Sequence, residues 1–241
     1  MKRTGRRRIY LMRHGHVDYF EPGITDPRSV PLTPEGRRQA GAARDALCDV
    51  EFDLVVHSGL PRTRETASII LENREIAPIV EAGLEELKSG WVVAESREEL
   101  AAMLAFSFDD AAEPGASFLP EGETFADAQE RIVKGINALI AGRDWRRALI
   151  VAHEGVNRIL LGWACGGGLR TIGAFEQDLC CINVIDLDIA PREDGAGVQI
   201  ERAIIKAVNV TPYDFLKDAL PRTSLEHLFE IDFGRGRPAR R

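Results

Sequence analysis

The sequence predicts an α/β protein, a three-layer α/β/α sandwich around a mostly parallel central sheet. Short apolar runs alternate with amphipathic segments along the 241 residues, which is the pattern of alternating strands and helices. The run Ala148–Ala152 is apolar throughout, as in strands that a parallel sheet buries on both faces. No linker rich in proline, glycine or serine divides the chain, so we expect a single domain over residues 1–241.

Two strand–helix units are predicted in the first third of the chain. The apolar run in Arg8–Arg13 predicts the first strand. Pro34 then begins a helix, because Thr33 before it is a good N-cap residue. Asp53–His57 predicts the second strand, and a helix follows over residues 61–71.

The rest of the chain continues the alternation with one interruption. We expect residues 88–122 to form an inserted lid or cap within the domain. A helix begins near Thr124, and the run Ala148–Ala152 follows it as the third strand, with a further helix behind. Two late strands, near Ile182–Leu187 and Val198–Val208, flank a polar turn and predict a hairpin.

Charged residues are distributed unevenly along the sequence. Residues 1–8 contain five basic residues and residues 235–241 contain four arginines, with no acidic residue in either segment. We expect residues 1–7 and 235–241 to be basic tails. The rest of the chain has 22 basic and 38 acidic residues, a balance that does not suit a nucleic-acid backbone. We therefore expect no nucleic-acid partner.

The cysteines and the apolar runs favour a cytoplasmic protein. Cys48, Cys165, Cys180 and Cys181 form no CxxC pair and no metal-ligand spacing, and we expect all four to be reduced and buried. No apolar run approaches the ~18 residues of a membrane helix, so we expect no membrane partner.

Three of the predicted strands end in residues that suit an anion. Because the carboxyl ends of parallel strands meet at one edge of a sheet, these side chains would lie close together. Arginine binds phosphoryl oxygens through two N–H groups, glycine allows a close backbone approach, and helix N-termini add N–H donors. The pattern predicts a site for a phosphoryl group. The strand ends are Arg13-His14-Gly15, His57-Ser58 with Arg62 shortly after, and His153-Glu154-Gly155.

These stretches resemble the signatures of the histidine phosphatase superfamily, in its phosphoglycerate mutase-like branch with an RHG motif. Six stretches match in order over about residues 8–165, which is far more specific than the RHG triplet alone. The resemblance implies the phosphoglycerate mutase-like version of the predicted fold. The matching stretches are Leu11–Gly15, Pro31–Ala40, Ser58–Ala67, Leu84–Glu86, Pro120–Thr124 and Val151–Arg158.

The resemblance also implies a role for each residue of the phosphoryl site. His14 would be the nucleophile and would form a phosphohistidine, while its far ring nitrogen donates to a backbone carbonyl. Nearby arginine charge would keep its imidazole neutral. The phosphoryl oxygens would be held by Arg13, Arg62, His153 and Gly15.

Glu86 would be the general acid that protonates the leaving alcohol and then helps to remove a proton from water. Glu85 is adjacent, and only the match at Leu84 selects Glu86 between the two. The implied mechanism needs no metal and no other cofactor, because arginines and histidines neutralise the phosphoryl charge.

Five further residues are candidates for the substrate side of the site. They are His16, Asp18, Ser58, Glu123 and Glu154. The superfamily often has Glu-Thr directly after the RHG motif and glycine after the second histidine, so His16 and Glu154 depart from the pattern. A carboxylate beside an anion pocket must be paired or point away.

The expected function is hydrolysis of a small phosphorylated metabolite, a phosphomonoester, by an enzyme of the histidine acid phosphatase type. Residues 98–130 contain nine acidic residues and no Lys or Arg, so such a lid would repel a bisphosphate. Two alternatives remain: a cofactor-dependent phosphoglycerate mutase-type phosphotransferase, and a non-catalytic module that binds a phosphorylated ligand. Leu225–Phe229 suits either a homodimer contact or core packing, and the sequence does not identify the natural substrate.

Overall fold

Six strands form one mixed sheet in the computed structural model, which describes residues 4–19, 21–88, 90, 103–104, 106–194 and 197–229. The strands are β1 (Gly5–Arg13), β2 (Leu54–His57), β3 (Ile79–Val80), β4 (Arg147–Ala152), β5 (Ile182–Pro191) and β6 (Val198–Val210). Their order across the sheet is β3-β2-β4-β1-β5-β6. The first four strands in that order are parallel, while β5 and β6 run antiparallel as the predicted hairpin.

The helices follow the strands as the sequence pattern predicts. They are α1 (Pro34–Ala46), α2 (Pro61–Ile70), α3 (Phe125–Gly142), α4 (Glu154–Ala164) and α5 (Ser224–Phe229), with short 3₁₀ helices at Ala82–Leu84 and Gly168–Ala174. Thr33 and Thr124 cap α1 and α3, because each side chain accepts a hydrogen bond from a backbone N–H of the first turn. The strand β3 and the helix α5 were not predicted from the sequence.

Helices cover both faces of the sheet and produce two hydrophobic cores. On one face, Phe125 and Ile136 of α3 and Ile159 of α4 pack with the sheet residues Leu11 and Ile150. On the other face, α1 and α2 pack against the side chains that alternate with these along the same strands. The prediction of a three-layer α/β/α sandwich with a mostly parallel sheet is therefore confirmed.

The register of the parallel strands brings the predicted site together. Arg13 at the end of β1 pairs with Ala152 at the end of β4, and His57 at the end of β2 pairs with Val151. The three strand ends that carry the candidate residues therefore lie side by side at one edge of the sheet.

Two predictions were wrong, one about the N-terminal tail and one about the burial of the cysteines. Residues 5–7 are not a tail, because β1 begins at Gly5. Arg7 is buried, and its guanidinium donates to the carbonyl oxygens of Ile140 and Arg143. Cys48 and Cys165 are exposed rather than buried, because both lie just beyond the ends of helices. Residues 1–3 and 235–241 lie outside the described residues.

Only part of the predicted lid at 88–122 lies within the described residues, since 89, 91–102 and 105 fall outside them. The described part packs onto the core beside α3 and α4, with Phe108 buried and Phe118 packed against it. The ring centroids of these two phenylalanines are 5.2 Å apart.

Candidate active site

His14 lies directly after β1, and each nitrogen of its ring contacts a neighbouring group. Its Nδ1 lies 2.7 Å from the carbonyl oxygen of Gly15, and Arg62 Nε donates to its Nε2 at 3.3 Å. A proton on Nδ1 satisfies both contacts and leaves a lone pair on Nε2. Burial lowers the pKa of His14 well below its ordinary value, and the charges of Arg62 and Arg13 lower it further.

The two arginines of the site are buried but have different partners. Arg62 projects from the first turn of α2, and its Nη1 donates to the carbonyl oxygen of Pro27 at 3.2 Å. Arg13 donates to the carbonyl oxygen of Gln177 at 2.5 Å and forms an ion pair with Glu154 at 3.1 Å. The Nε of Arg13 is buried and has no hydrogen-bond partner within the described residues. Arg13 is therefore held at two points and keeps a donor for a ligand.

His153, which caps α4 from the end of β4, stands beside His14 with ring centroids 5.2 Å apart. Its Nε2 lies 2.8 Å from Ser58 Oγ, while its Nδ1 is buried without a hydrogen-bond partner among the described residues. Burial lowers the pKa of His153 well below its ordinary value, with a further contribution from Arg62. A buried polar atom without a partner is costly. His153 is fully buried and does not itself line the cleft, so its contact with a ligand oxygen stays a prediction.

Glu86, rather than Glu85, lines the cleft. Its carboxylate accepts hydrogen bonds from the N–H groups of Leu87 at 3.0 Å and Gly155 at 3.4 Å. A Cβ on Gly155 would lie 2.6 Å from Leu87 Cδ1 and 2.8 Å from Glu86 Oε1, so the packing of both side chains favours a glycine at the start of α4. Burial raises the pKa of Glu86. Glu85 instead pairs with Arg28 at 2.6 Å.

The Glu154 carboxylate faces the site and is paired there with basic side chains. Its carboxylate lies 3.1 Å from Arg13, accepts from Arg158 at 2.8 Å and accepts from Ser224 Oγ at 2.8 Å. Arg158 also reaches Glu176 at 2.8 Å. Burial alone would raise the pKa of Glu154, but Arg13, Arg158 and Ser224 outweigh it and lower the pKa. Glu154, the residue after His153, thus links Arg13 to Ser224 at the start of α5.

A cleft of about 390 Å³ opens from this cluster. The closed end is lined by Arg13, His14, Arg62, Glu86 and Glu154, and the mouth by Asp26, Arg28 and Lys88. The walls between them are largely apolar, formed by Tyr19, Pro27, Leu60, Leu87, Phe108, Phe118 and Leu225. Two guanidinium groups, one imidazole and two carboxyl groups line this closed end, with the His153 ring buried beside His14. Such a group of side chains can bind an anion and transfer protons.

The family sequence model of the histidine phosphatase superfamily (branch 1) matches residues 9–191 of this chain. The chain belongs to this superfamily. An adenosylcobalamin/alpha-ribazole phosphatase from Escherichia coli is 28% identical over 184 residues, which cover 75% of this chain and 90% of the relative. A probable 2-carboxy-D-arabinitol-1-phosphatase from Arabidopsis thaliana is 29% identical over 212 residues, 86% of this chain but only 42% of the relative.

Solved structures agree with this assignment. The crystal structure of the alpha-ribazole phosphatase from Shigella flexneri has a TM-score of 0.63 and 26% identity, over 84% of this chain and 96% of that chain. This histidine phosphatase superfamily member therefore has the phosphoglycerate mutase-like fold that its sequence motifs imply.

Three of the residues expected around the superfamily site have other positions. The side chain of Asp18 is exposed, and the next residue, Tyr19, lines the cleft in its place. His16 turns away, because its Nδ1 is 2.8 Å from Thr33 Oγ1 at the start of α1. Glu123 pairs with Arg131 at 2.6 Å and does not line the cleft.

Gly15 and Ser58 support the cleft from behind. A Cβ on Gly15 would lie 2.5 Å from the carbonyl oxygen of Gly36, so the glycine allows β1 to approach α1 closely. Its N–H donates to Thr66 Oγ1 at 3.1 Å. Ser58 is fully buried and contacts His153 rather than the cleft.

Two residues that complete the site were not predicted from the sequence. Leu225 at the start of α5 is buried and lines the cleft, so core packing rather than a dimer contact accounts for it. Asn157 is fully buried; with its amide oriented to suit both neighbours, it donates to His153 O at 3.2 Å and accepts from Arg13 N at 3.1 Å. The spacing of Asn157 from His153, one turn along α4, was the available signal.

Within the described residues, no helix is both long and apolar enough to cross a bilayer. That part of the chain also contains no group of three or more His, Cys, Asp or Glu side chains suited to hold a metal ion. Independence from metals stays a prediction.

Proposed function

We propose that this chain is a phosphomonoester hydrolase that works through a phosphohistidine on Nε2 of His14. The observation that carries the proposal is the position of His14 at the closed end of the cleft, with Nδ1 2.7 Å from the Gly15 carbonyl oxygen and Nε2 3.3 Å from Arg62 Nε. The alpha-ribazole and carboxyarabinitol phosphatases among its relatives support the same class of reaction.

In the first step, Nε2 of His14 attacks phosphorus and the ester P–O bond breaks. The protonated carboxyl of Glu86 gives its proton to the departing alkoxide, so the alcohol leaves neutral. We assign the binding of the phosphoryl oxygens to Arg62, Arg13 Nε and His153 Nδ1. The contact of Arg62 with His14 supports this, as do the two buried nitrogens without a partner among the described residues. The bond from His14 Nδ1–H to the Gly15 carbonyl stabilises the positive charge that forms on the ring.

In the second step, water attacks the phosphohistidine and the Glu86 carboxylate takes its proton. The P–Nε2 bond breaks, phosphate leaves, and His14 returns to its neutral form. The cycle needs His14 deprotonated and Glu86 protonated at the same pH. The lowered pKa of His14 and the raised pKa of Glu86 support an acidic optimum, which is the acid phosphatase-type behaviour that we assign to this enzyme.

Among the described residues, the acidic side chains of residues 98–130 do not line the cleft, so they do not repel a bisphosphate there. Asp109, Glu113 and Glu121 are exposed and do not line it. A different observation supports hydrolysis: of the two basic residues at the described mouth, Arg28 is already paired with Glu85. A bisphosphate would have Lys88 as its main additional contact there.

The test is hydrolysis of p-nitrophenyl phosphate by the wild type, His14→Ala and His227→Ala. His227 is an exposed histidine that does not line the cleft. We expect His14→Ala to lose at least about 1000-fold in kcat, as a lost nucleophile should, and His227→Ala to match the wild type. Equal activity of the wild type and His14→Ala would refute the proposal. Inactivity of all three on a panel of phosphomonoesters would favour the binding module.

A mutase assay with bisphosphoglycerate separates the remaining alternative, since turnover comparable to hydrolysis would favour the phosphotransferase. The small-metabolite substrate, the homodimer and the cytoplasmic location stay predictions. Light scattering after size-exclusion chromatography and cell fractionation test the last two.

A further inference from the structure

The leaving-group side of the cleft differs in chemistry from its phosphoryl end. A cavity of about 390 Å³ lies in the range of sites that hold a whole small molecule, so it accepts much more than a phosphoryl group. Because the charged groups gather at the closed end and at the mouth, a bound alcohol would lie mainly between the apolar walls.

Two aromatic rings dominate one of these walls. Phe108 and Phe118 are tilted by 45° to one another. Arg158 holds Phe108 from behind, with its guanidinium carbon 4.6 Å from the ring centroid. Leu87 and Leu225 continue the apolar surface into the cleft. Fixed aromatic walls favour flat rings, which pack against them in offset or edge-to-face contacts.

The described walls provide little for a second anion or for several hydroxyl groups. At the mouth, Arg28 is paired with Glu85 at 2.6 Å, and the second basic group, Lys88, is offset by the carboxylate of Asp26. A carboxylate or a second phosphate on the alcohol would therefore lie at a mouth whose described side chains carry almost no net charge. A polyol would place its hydroxyl groups against leucine and phenylalanine side chains and lose hydrogen bonds to water.

We infer that the preferred substrate is the phosphate monoester of an alcohol that carries a flat apolar ring, aromatic or heteroaromatic, and no second anionic group. This inference rests on the proposed phosphatase function and specifies its leaving group. Phe118 is the specificity-determining residue most open to test, since it is only partly buried and lines the cleft.

The experiment compares kcat/KM for four phosphate esters of primary alcohols, so that the reactivity of the leaving group differs little. They are 2-naphthylmethyl phosphate, ethyl phosphate, glycerol 1-phosphate and 2-phosphoglycolate. We expect the naphthylmethyl ester to exceed glycerol 1-phosphate and phosphoglycolate by on the order of 10- to 100-fold, the discrimination that apolar pocket contacts provide.

Phe118→Ala should reduce the ratio of naphthylmethyl to ethyl ester by about 10-fold. Phe215→Ala is the matched control, because Phe215 is 70% exposed and does not line the cleft. It should keep the wild-type ratio. His14-dependent turnover in which glycerol phosphate or phosphoglycolate equals the ring ester would overturn the inference and leave the proposed function intact.

If no ester is hydrolysed, the proposed function fails, and binding decides the inference. Calorimetry with 2-naphthylmethylphosphonate and ethylphosphonate then measures the preference for the ring without catalysis. At least 10-fold tighter binding of the naphthyl compound would support the inference, whereas equal Kd values would overturn it.

Discussion

Glu154→Gln tests whether the buried charge network holds the site together. Glu154 is 5% exposed and contacts Arg13, Arg158 and Ser224. The amide keeps the volume of the side chain but removes its charge, and its NH₂ group replaces one acceptor. The remaining amide oxygen could accept from one of the two arginines, while Arg13 keeps the carbonyl of Gln177 and Arg158 keeps the carbonyl of Ile172 and the carboxylate of Glu176.

The expected loss follows from these contacts. Removing one partner of a buried ion pair costs about 3–5 kcal/mol. Because both arginines keep other acceptors, we expect the lower end, about 3 kcal/mol in the free energy of unfolding. At roughly 2–4 °C per kcal/mol for a domain of this size, Tm should fall by about 6–12 °C at pH 7.

Differential scanning calorimetry measures this shift, and Glu176→Gln is the matched control. Glu176 contacts the same Arg158 but its side chain is 32% exposed, so we expect a loss within about 1 kcal/mol. A Glu154→Gln variant whose Tm equals that of the control or of the wild type would show that the arginines do not depend on this carboxylate.

The pH dependence gives a second check on the same carboxylate. Its pKa is lowered in the folded protein, so its stabilisation is fully present above the unfolded value of about 4.3. It is lost as the pH falls through the folded pKa. The Tm difference between wild type and Glu154→Gln should therefore be constant near pH 7 and shrink below about pH 4. A difference that grows toward acid would contradict the assigned shift.

Three further variants test other parts of the site. Glu86→Gln should reduce kcat on alkyl esters by about 100-fold or more, much less on p-nitrophenyl phosphate, and abolish the alkaline limb of the pH–rate profile; equal losses on both substrates would argue against an acid role. Ser58→Ala should lower kcat by roughly 10-fold because His153 loses its 2.8 Å partner, and Ser58→Thr should partly restore it; an unchanged kcat would remove Ser58 from the site. Gly15→Ala should destabilise the fold by about 1–3 kcal/mol through the 2.5 Å contact with Gly36, so an unchanged denaturation midpoint would contradict the packing.

The fold and the closed end of the site could be predicted because both depend on short sequence patterns. A strand that ends in Arg13-His14 places both residues at the sheet edge once the strand is parallel to its neighbour, and the same holds for His153. Thr33 and Thr124 likewise mark helix starts through contacts within four residues. Alternation and capping act over a few residues, so the sequence pattern contains them directly.

The walls of the cleft could not be predicted in this way. Leu225 lies more than 60 residues after His153 in the sequence and lines the cleft from the start of α5. Phe118 lines it from a segment without a regular secondary-structure pattern. For Asp18, periodicity did not indicate which of two adjacent side chains faces inward, and Tyr19 does so instead. Which side chain is buried at such positions depends on packing between distant segments.

Counting charges in the sequence also overstates the positive charge available to a ligand. Arg13, Arg28 and Arg131 are each paired with a glutamate. Of the carboxylates in the described residues, none forms an ion pair with Arg62, whose partners are His14 and the carbonyl of Pro27. The uncompensated charge at the closed end therefore comes chiefly from Arg62. Glu154 pairs with Arg13 and offsets its charge, so in the proposed mechanism Arg13 orients the phosphoryl group more than it neutralises it. This difference between the two arginines follows from tertiary contacts that the sequence motif does not contain.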